Sequence, residues 1–156
     1  MAATAVRTRV GFSLIELVIT TLVIGIIAAA AVPRYSGALA RYRVAAAAKR
    51  VAADLNYARR EAMNQGVSQD GVFNGPTNSY AMPTVPHPDS PGLTYSVALM
   101  DTEYPAMINA PNFGGSSTVT YDIFGQPSAG GSVTVLSNGN QRTVNVDAVT
   151  GIATVP

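Results

Sequence analysis

Glu16 is the one ionisable side chain in an otherwise uncharged apolar run that covers the 21 residues 12–32. A carboxylate in hydrocarbon costs on the order of 2.5 to 3.5 kcal/mol on insertion scales, so its presence indicates a function and requires a cationic partner. The chemistry open to this position is charge pairing, most simply with an ammonium group from a second chain. The alternative is a side chain that snorkels to the lipid headgroups and pairs with nothing.

Composition excludes most other chemistry. The 156 residues include no Cys and a single His, His87, which rules out disulfides, thiolate clusters and zinc sites built from several such ligands. Asp89, Asp101 and Glu103 lack the spacing of a calcium loop, and we interpret them as surface carboxylates. No triad or carboxylate dyad is visible, so we predict a protein that is not an enzyme and needs no cofactor.

The apolar run is long enough to cross a membrane. As a helix, residues 12–32 reach roughly 31 Å at about 1.5 Å per residue, which matches the hydrocarbon core. Arg7 and Arg9 precede the run, and positive charge at that place holds the end in the cytoplasm. An ordinary signal peptide cleaved near residues 28–31 and a plain single-pass anchor are the alternatives. Neither explains Glu16.

The residues around Glu16 narrow these alternatives. Residues 9–17 read Arg-Val-Gly-Phe-Ser-Leu-Ile-Glu-Leu, and this stretch resembles the class III signal of type IV pilins and type II secretion pseudopilins. The resemblance implies that a prepilin peptidase removes a leader, residues 1–11, by cutting after Gly11 and methylates the new amino terminus at Phe12. It also implies that Glu16 neutralises the amino terminus of a neighbouring subunit.

Pro33 follows the apolar run, matches the helix proline of this family and predicts a kink. Beyond Pro33, apolar residues recur at helical spacing to about Asn64, and the set is Tyr35, Leu39, Tyr42, Ala46, Leu55, Ala58 and Ala62. This spacing predicts one long helix, with a membrane or filament-core segment at 12–33 and an amphipathic half at 34–66. Gly66 is the expected C-cap of the helix.

Charge and composition both change at Gly66. Nine basic and three acidic residues up to Gly66 give a net charge of +6, whereas one basic and six acidic residues beyond it give −5. Gly and Pro supply 19 of the last 90 residues but only five of the first 66. A helical half is therefore joined to a loop-rich acidic half, and the acidic half disfavours nucleic acid as a partner.

We predict that residues 67–156 form a β-rich periplasmic domain. Short apolar or alternating runs between turns predict strands at 67–73, 93–99, 118–124, 132–136, 142–147 and 152–155. Turn signals at 138–140 and 148–151 join the last three strands into an antiparallel meander. Seven prolines between residues 75 and 115 indicate irregular loops around at most one or two strands.

Two further segments resemble the GspH and FimT group of minor pseudopilins. They are Ala58-Arg59-Arg60-Glu61-Ala62 at the helix end and Phe124-Gly125-Gln126-Pro127 between two strands. The fold implied is α+β and type IV pilin-like, with a long N-terminal helix whose second half packs on an antiparallel β-sheet domain. The implied function is a minor pilin or pseudopilin subunit of a type II secretion pseudopilus or a type IV pilus.

The resemblance also implies partners and a location. The partners are prepilin peptidase, other pilin or pseudopilin subunits, an inner-membrane assembly platform and inner-membrane lipid. The protein would cross the bacterial inner membrane once, with its C-terminal domain in the periplasm, and then enter a filament. The alternative is a DNA-binding minor pilin of an uptake pilus. The Gly-Arg-x-Arg turn of such proteins corresponds here to Gly151-Ile152-Ala153-Thr154, which has no arginine.

Overall fold

A computed structural model describes residues 11–87, 89–90 and 92–156, apart from the side chain of Pro33. Arg7, Arg9 and the rest of the predicted leader up to residue 10 lie outside the described residues. The chain divides into two compact units, Met1–Ala38 and Leu39–Pro156. The second unit contains both β-sheets and the hydrophobic core.

Helix α1 spans Leu14–Gln65, 52 residues, close to the predicted bounds. It begins at Ser13, whose carbonyl oxygen accepts the first helical hydrogen bond from the Leu17 amide at 3.1 Å. It ends at Gly66, which has a φ of +65° and donates its amide to Ala62 O at 3.0 Å. This left-handed C-cap confirms the predicted role of Gly66. Pro33 lies inside α1, and a kink there stays a prediction.

Eight antiparallel strands form two sheets of four strands each. The strands are β1 Gln69–Asn74, β2 Ser79–Pro86, β3 Thr94–Ala98, β4 Met107–Phe113, β5 Thr118–Tyr121, β6 Gly131–Ser137, β7 Asn140–Val146 and β8 Ala153–Thr154. The first sheet has the order β3-β2-β1-β5 and the second β4-β6-β7-β8, and a short 3-10 helix, Leu99–Asp101, follows β3. The predicted α+β fold and the predicted meander of the last three strands are confirmed.

The expectation of at most one or two strands between residues 75 and 115 is wrong, because β2, β3 and β4 all lie there. Two of these strands accommodate proline at a shift of register. Pro83 lies where the pairing of β2 with β3 shifts after Met82, and Pro111 lies where β4 shifts against β6. A missing N–H group costs no ladder hydrogen bond at an irregularity of this kind.

The buried face of α1 in the second unit follows a regular helical stripe. Its members recur alternately four and three residues apart, at Val44, Ala48, Val51, Leu55, Ala58 and Ala62. Small side chains bring the sheet close, and a Cβ added at Gly71 of β1 would lie 3.1 Å from Leu55 Cδ2. The stripe and the inner faces of both sheets share one hydrophobic core.

The predicted apolar face was partly wrong. Leu55, Ala58 and Ala62 are buried as expected, but Tyr35 is 71% exposed and Tyr42 60% exposed. Residues of the stripe are 3.5 positions apart on average, which rotates Tyr42 away from the core side of α1. The Tyr42 ring instead meets the edge of Tyr104, with ring centroids 5.7 Å apart.

Candidate functional site

The first unit presents an uninterrupted apolar helix surface. Every described residue from Gly11 to Val32 is exposed. An 18-residue window of α1 has a mean hydropathy of 2.5 with none of it buried, and the helix is long and apolar enough to cross a membrane. Water-soluble monomers do not expose continuous apolar surface on this scale. The surface therefore requires lipid or other helices around it.

Polar groups inside this apolar surface are handled in two ways. The Thr20 hydroxyl donates to Leu17 O at 2.9 Å, and the Thr21 hydroxyl donates to Leu17 O and Val18 O, both at 3.0 Å. These hydroxyls are thereby satisfied within the helix. Glu16 differs, because it forms neither a hydrogen bond nor an ion pair within the described part of the chain.

The predicted processing residues lie just ahead of the helix. Gly11 and Phe12 precede the first residue of α1, Leu14, and Phe12 is 79% exposed. Glu16 occupies the first turn of α1, where the positive end of the helix dipole favours a carboxylate. The structure thus brings Gly11, Phe12 and Glu16 to one end of α1, whereas Pro33 lies 17 residues beyond Glu16.

A second cluster of functional groups lies at the other end of α1, in the second unit. Arg59 Nε donates to Gly125 O at 3.0 Å and to Thr150 O at 2.8 Å. One guanidinium therefore holds two separate turns, one after β5 and one after β7. This contact also joins the two segments that resemble the GspH and FimT group, since Arg59 belongs to the first and Gly125 to the second.

Asn56 fastens the last strand to the helix. Its Nδ2 donates to Ala153 O at 2.9 Å, and its Oδ1 accepts from the Ala153 amide at 3.0 Å. The side-chain amide thus pairs with β8 as a neighbouring strand would. Because β8 has only two residues, this pairing supplies a large share of its hydrogen bonds.

Both turns are built around an aspartate. Asp122 Oδ1 accepts the amides of Phe124 and Gln126 at 2.9 and 2.8 Å. Asp147 Oδ1 accepts the Thr150 amide, the Thr150 hydroxyl and the Val149 amide. These hydrogen bonds, led by the Thr150 amide, lower the pKa of Asp147, so its carboxylate stays charged at neutral pH.

Glycine is required where the two turns meet. Gly151 has a φ of +67°, and a Cβ added to it would lie 2.3 Å from Gly125 O. Gly125 has a φ of +77°, and its added Cβ would lie 2.9 Å from Met63 Sδ. Both positions therefore need a left-handed backbone and a close approach that only Gly permits.

A polar cluster on another side of α1 fastens the first sheet. Asp54 accepts a hydrogen bond from the Tyr80 hydroxyl and lies 3.9 Å from Arg50 Nε. Burial, followed by the hydrogen bond to Asp54, raises the pKa of Tyr95 to about 12. Both tyrosines thus stay protonated and act as donors, which is a structural role. The described residues contain no group of three or more potential metal ligands.

Sequence reasoning missed the roles of Asn56, Asp147 and Gly151 in this cluster. Asn56 and Ala153 are 97 residues apart, so no local pattern connects them. The available signal was Gly151 following an aspartate by four residues, which is typical of a tight turn. Of the sites predicted from sequence, only the neighbours Gly11, Phe12 and Glu16 could be placed together in advance.

Comparison with known proteins agrees with these features. Residues 47–150 match the family model described as type II transport protein GspH. No curated protein matches the chain. Two crystal structures of the type IV minor pilin FimU from Pseudomonas aeruginosa strain PAO1, in space groups P21 and P65, share the fold with TM-scores of 0.56 and 0.52.

Each FimU structure is 15% identical to this chain, and the matches cover 74% and 71% of this chain and 90% of FimU. Likeness at this identity shows the fold alone. The GspH match covers more than half of the chain and includes Arg59 and Gly125. The chain therefore belongs to the GspH family of type II transport proteins, within the wider group of type IV pilins and pseudopilins.

Proposed function

We propose that this protein is a filament subunit that is processed at Gly11, held in the inner membrane by the apolar part of α1, and then assembled through that same segment. Family and fold support a structural minor pilin or pseudopilin. The observation that carries the rest of the proposal is the wholly exposed apolar surface of residues 11–32 with one unpaired carboxylate. An apolar helix and this family fit a membrane-anchored periplasmic subunit.

Processing comes first in the proposed sequence of events. The Gly11–Phe12 peptide bond lies ahead of the helix, so a peptidase need not unwind α1 to reach it. Cutting there leaves an amino terminus at Phe12, which the prepilin peptidase then methylates. It also removes Arg7 and Arg9 and so changes the side-chain net charge of the protein from +1 to −1.

Charge pairing then favours assembly over storage in the membrane. A lone Glu16 carboxylate in hydrocarbon costs a few kcal/mol. A carboxylate beside the ammonium group of a neighbouring Phe12 is stabilised, because the two opposite charges are buried together. The inner-membrane assembly platform would supply the neighbouring subunits. The pairing makes the bundle of helices the lower-energy location for Glu16.

Mass spectrometry of the full-length chain co-expressed with a prepilin peptidase tests the processing step. We expect an N-terminus at Phe12 that carries one methyl group, and an uncut chain when the peptidase is inactive. A chain that begins near Ala31 or Val32 would instead establish an ordinary signal peptide and refute the proposal.

Cross-linking to co-expressed pilin subunits tests the role of Glu16. We expect Glu16→Gln to be processed and to stay in the membrane but to lose incorporation into filaments, because breaking a buried pair costs about 3 to 5 kcal/mol. Glu61→Gln is the matched control, since Glu61 is also a glutamate of α1 and bonds only Gln65 within the described residues. Equal incorporation of both variants would contradict the charge pairing.

The DNA-binding alternative has no observation in its favour. The turn that corresponds to the arginine-bearing turn of such proteins exposes Val149 and Ile152. Arg59 reaches this turn from α1, but its Nε is occupied by carbonyl oxygens. The net charge of −5 beyond Gly66 repels phosphate. A gel-shift assay with duplex DNA at low salt would decide the question.

A further inference from the structure

Exposed apolar side chains of the second unit gather at the end where α1 finishes. Phe124 is 74% exposed and Val149 73%, and each lies in one of the two turns that Arg59 joins. Three other exposed apolar side chains adjoin them on the same turns and on the last turns of α1. We name the whole set the distal patch, and it comprises Met63, Ile123, Phe124, Val149 and Ile152.

The distal patch is rigid before any partner arrives. Asp122 and Asp147 fix the conformation of the two turns, and Arg59 ties the turns to each other and to α1. Gly125 and Gly151 lock them at a distance that admits no side chain. A surface organised in advance loses little conformational entropy on binding, and fixed apolar side chains clustered in the open are typical of a protein interface.

A surface of complementary charge lies on α1 in the same unit. Between Leu17 and Ala53 the chain carries five basic residues and no acidic residue. Within the described residues only one of these five, Arg50, has an ion pair. The exposed part of this surface has cations at both ends and small or aromatic side chains between them. We name it the basic stretch, and it comprises Arg41, Tyr42, Ala45, Ala46 and Lys49.

The two surfaces cannot meet within one copy. The middle of the basic stretch and the α1 end of the distal patch are separated by about 16 residues of helix, or roughly 24 Å. Acidic residues border the distal patch at Asp122 and Asp147, in a half of the chain with a net charge of −5. Opposite charges at separate places on one chain favour contact between copies, and a contact of two different surfaces repeats without closing.

We propose that the distal patch of one copy docks on the basic stretch of a second copy, head to tail. The apolar side chains of the patch cover Tyr42, Ala45 and Ala46, while Arg41 and Lys49 face the acidic turns. This inference rests on the proposed filament function and adds to it a contact that is independent of the apolar part of α1.

Introduced cysteines test the contact cleanly, because the chain has no Cys. Two differently tagged full-length copies, one with Lys49→Cys and the other with Val149→Cys, are co-expressed and oxidised in membranes. We expect a disulfide between the two tagged copies. Its yield should fall as salt rises from 0.1 to 1 M, because the screening length shortens from about 10 to about 3 Å.

Matched variants separate docking from chance collision. Gln141→Cys, on an exposed position of β7, should link to Lys49→Cys only at background. Phe124→Ser added to the Val149→Cys copy should bring the yield down to that background. Leu93→Ser should not, although Leu93 is 65% exposed and equally apolar, because it lies outside the distal patch. Retained tyrosine circular dichroism checks that each variant is folded.

A further pair distinguishes failure of this contact from failure of the proposed function. Ile19→Cys in both copies reports association through the apolar part of α1. If the Ile19 pair links while Lys49 and Val149 link no better than the Gln141 control, the docking is refuted and the filament function stands. If the Ile19 pair does not link either, both are refuted. An unchanged yield with Phe124→Ser also overturns the docking.

Discussion

Replacing Arg59 with methionine tests whether one guanidinium holds the two turns at the end of α1. Methionine keeps most of the aliphatic stem but removes the Nε that lies 3.0 Å from Gly125 O and 2.8 Å from Thr150 O. Arg60→Met is the matched control. Arg60 is exposed and makes no such contact with the turns.

The magnitude follows from the number and exposure of the bonds lost. A hydrogen bond from a charged donor contributes about 1.5 to 3 kcal/mol, and a carbonyl left without a partner costs most where water cannot reach it. The bond to Gly125 O is partly buried, whereas the bond to Thr150 O is exposed and is largely replaced by water. We therefore expect Arg59→Met to lower the free energy of unfolding by about 2 to 3 kcal/mol.

Thermal unfolding of the full chain in detergent measures the difference, followed by near-ultraviolet circular dichroism of its seven tyrosines. A loss of this size should lower the Tm by roughly 5 to 10 °C, and Arg60→Met should change stability by no more than about 0.5 kcal/mol. Faster amide exchange at Gly151 and Ala153 should accompany the loss. Equal Tm values for the two variants would refute the idea that Arg59 holds the turns.

Three other substitutions probe the same unit by the same unfolding assay. Gly151→Ala should cost more than Gly139→Ala, because both have positive φ but only Gly151 has no room for a Cβ; the Gly139 variant isolates a backbone cost of about 1 kcal/mol, and equal losses would rule out the clash. Tyr121→Phe should raise stability by about 1 kcal/mol, since the buried Tyr121 hydroxyl has no partner among the described residues; a loss would instead reveal an internal water. Leu55→Ala should cost about 2 to 5 kcal/mol because Leu55 is fully buried, and a loss below 1 kcal/mol would show that β1 closes onto the cavity.

Several features could be predicted because they depend on neighbours in the chain. The length of α1 follows from an apolar run that continues into a helical pattern, and its end follows from Gly66 in the left-handed conformation. The turn at Asn138 and Gly139, both with positive φ, likewise determines how β6 pairs with β7. Short-range geometry is encoded within a few residues, so the sequence alone suffices.

The strands between residues 75 and 115 could not be predicted, because their pairing depends on distant residues. Proline counts indicated loops, yet Pro83 and Pro111 lie at shifts of register that only the partner strands define. The same reason explains the wrong place of Tyr42 in the predicted apolar face. Which side of α1 becomes buried is decided by the sheets that pack on it, and not by the tyrosines themselves.

By itself the sequence determined an exposed apolar helix with a single carboxylate, a processing signal ahead of it and an acidic β-rich half. Only the tertiary structure showed that Arg59 and Asn56 reach turns and a strand about 66 to 97 residues away. Such contacts satisfy backbone groups that have no partner nearby in the chain, and any of many side chains could have filled that role. The fold decides which one does, because packing of α1 on the sheets sets which side chains arrive there.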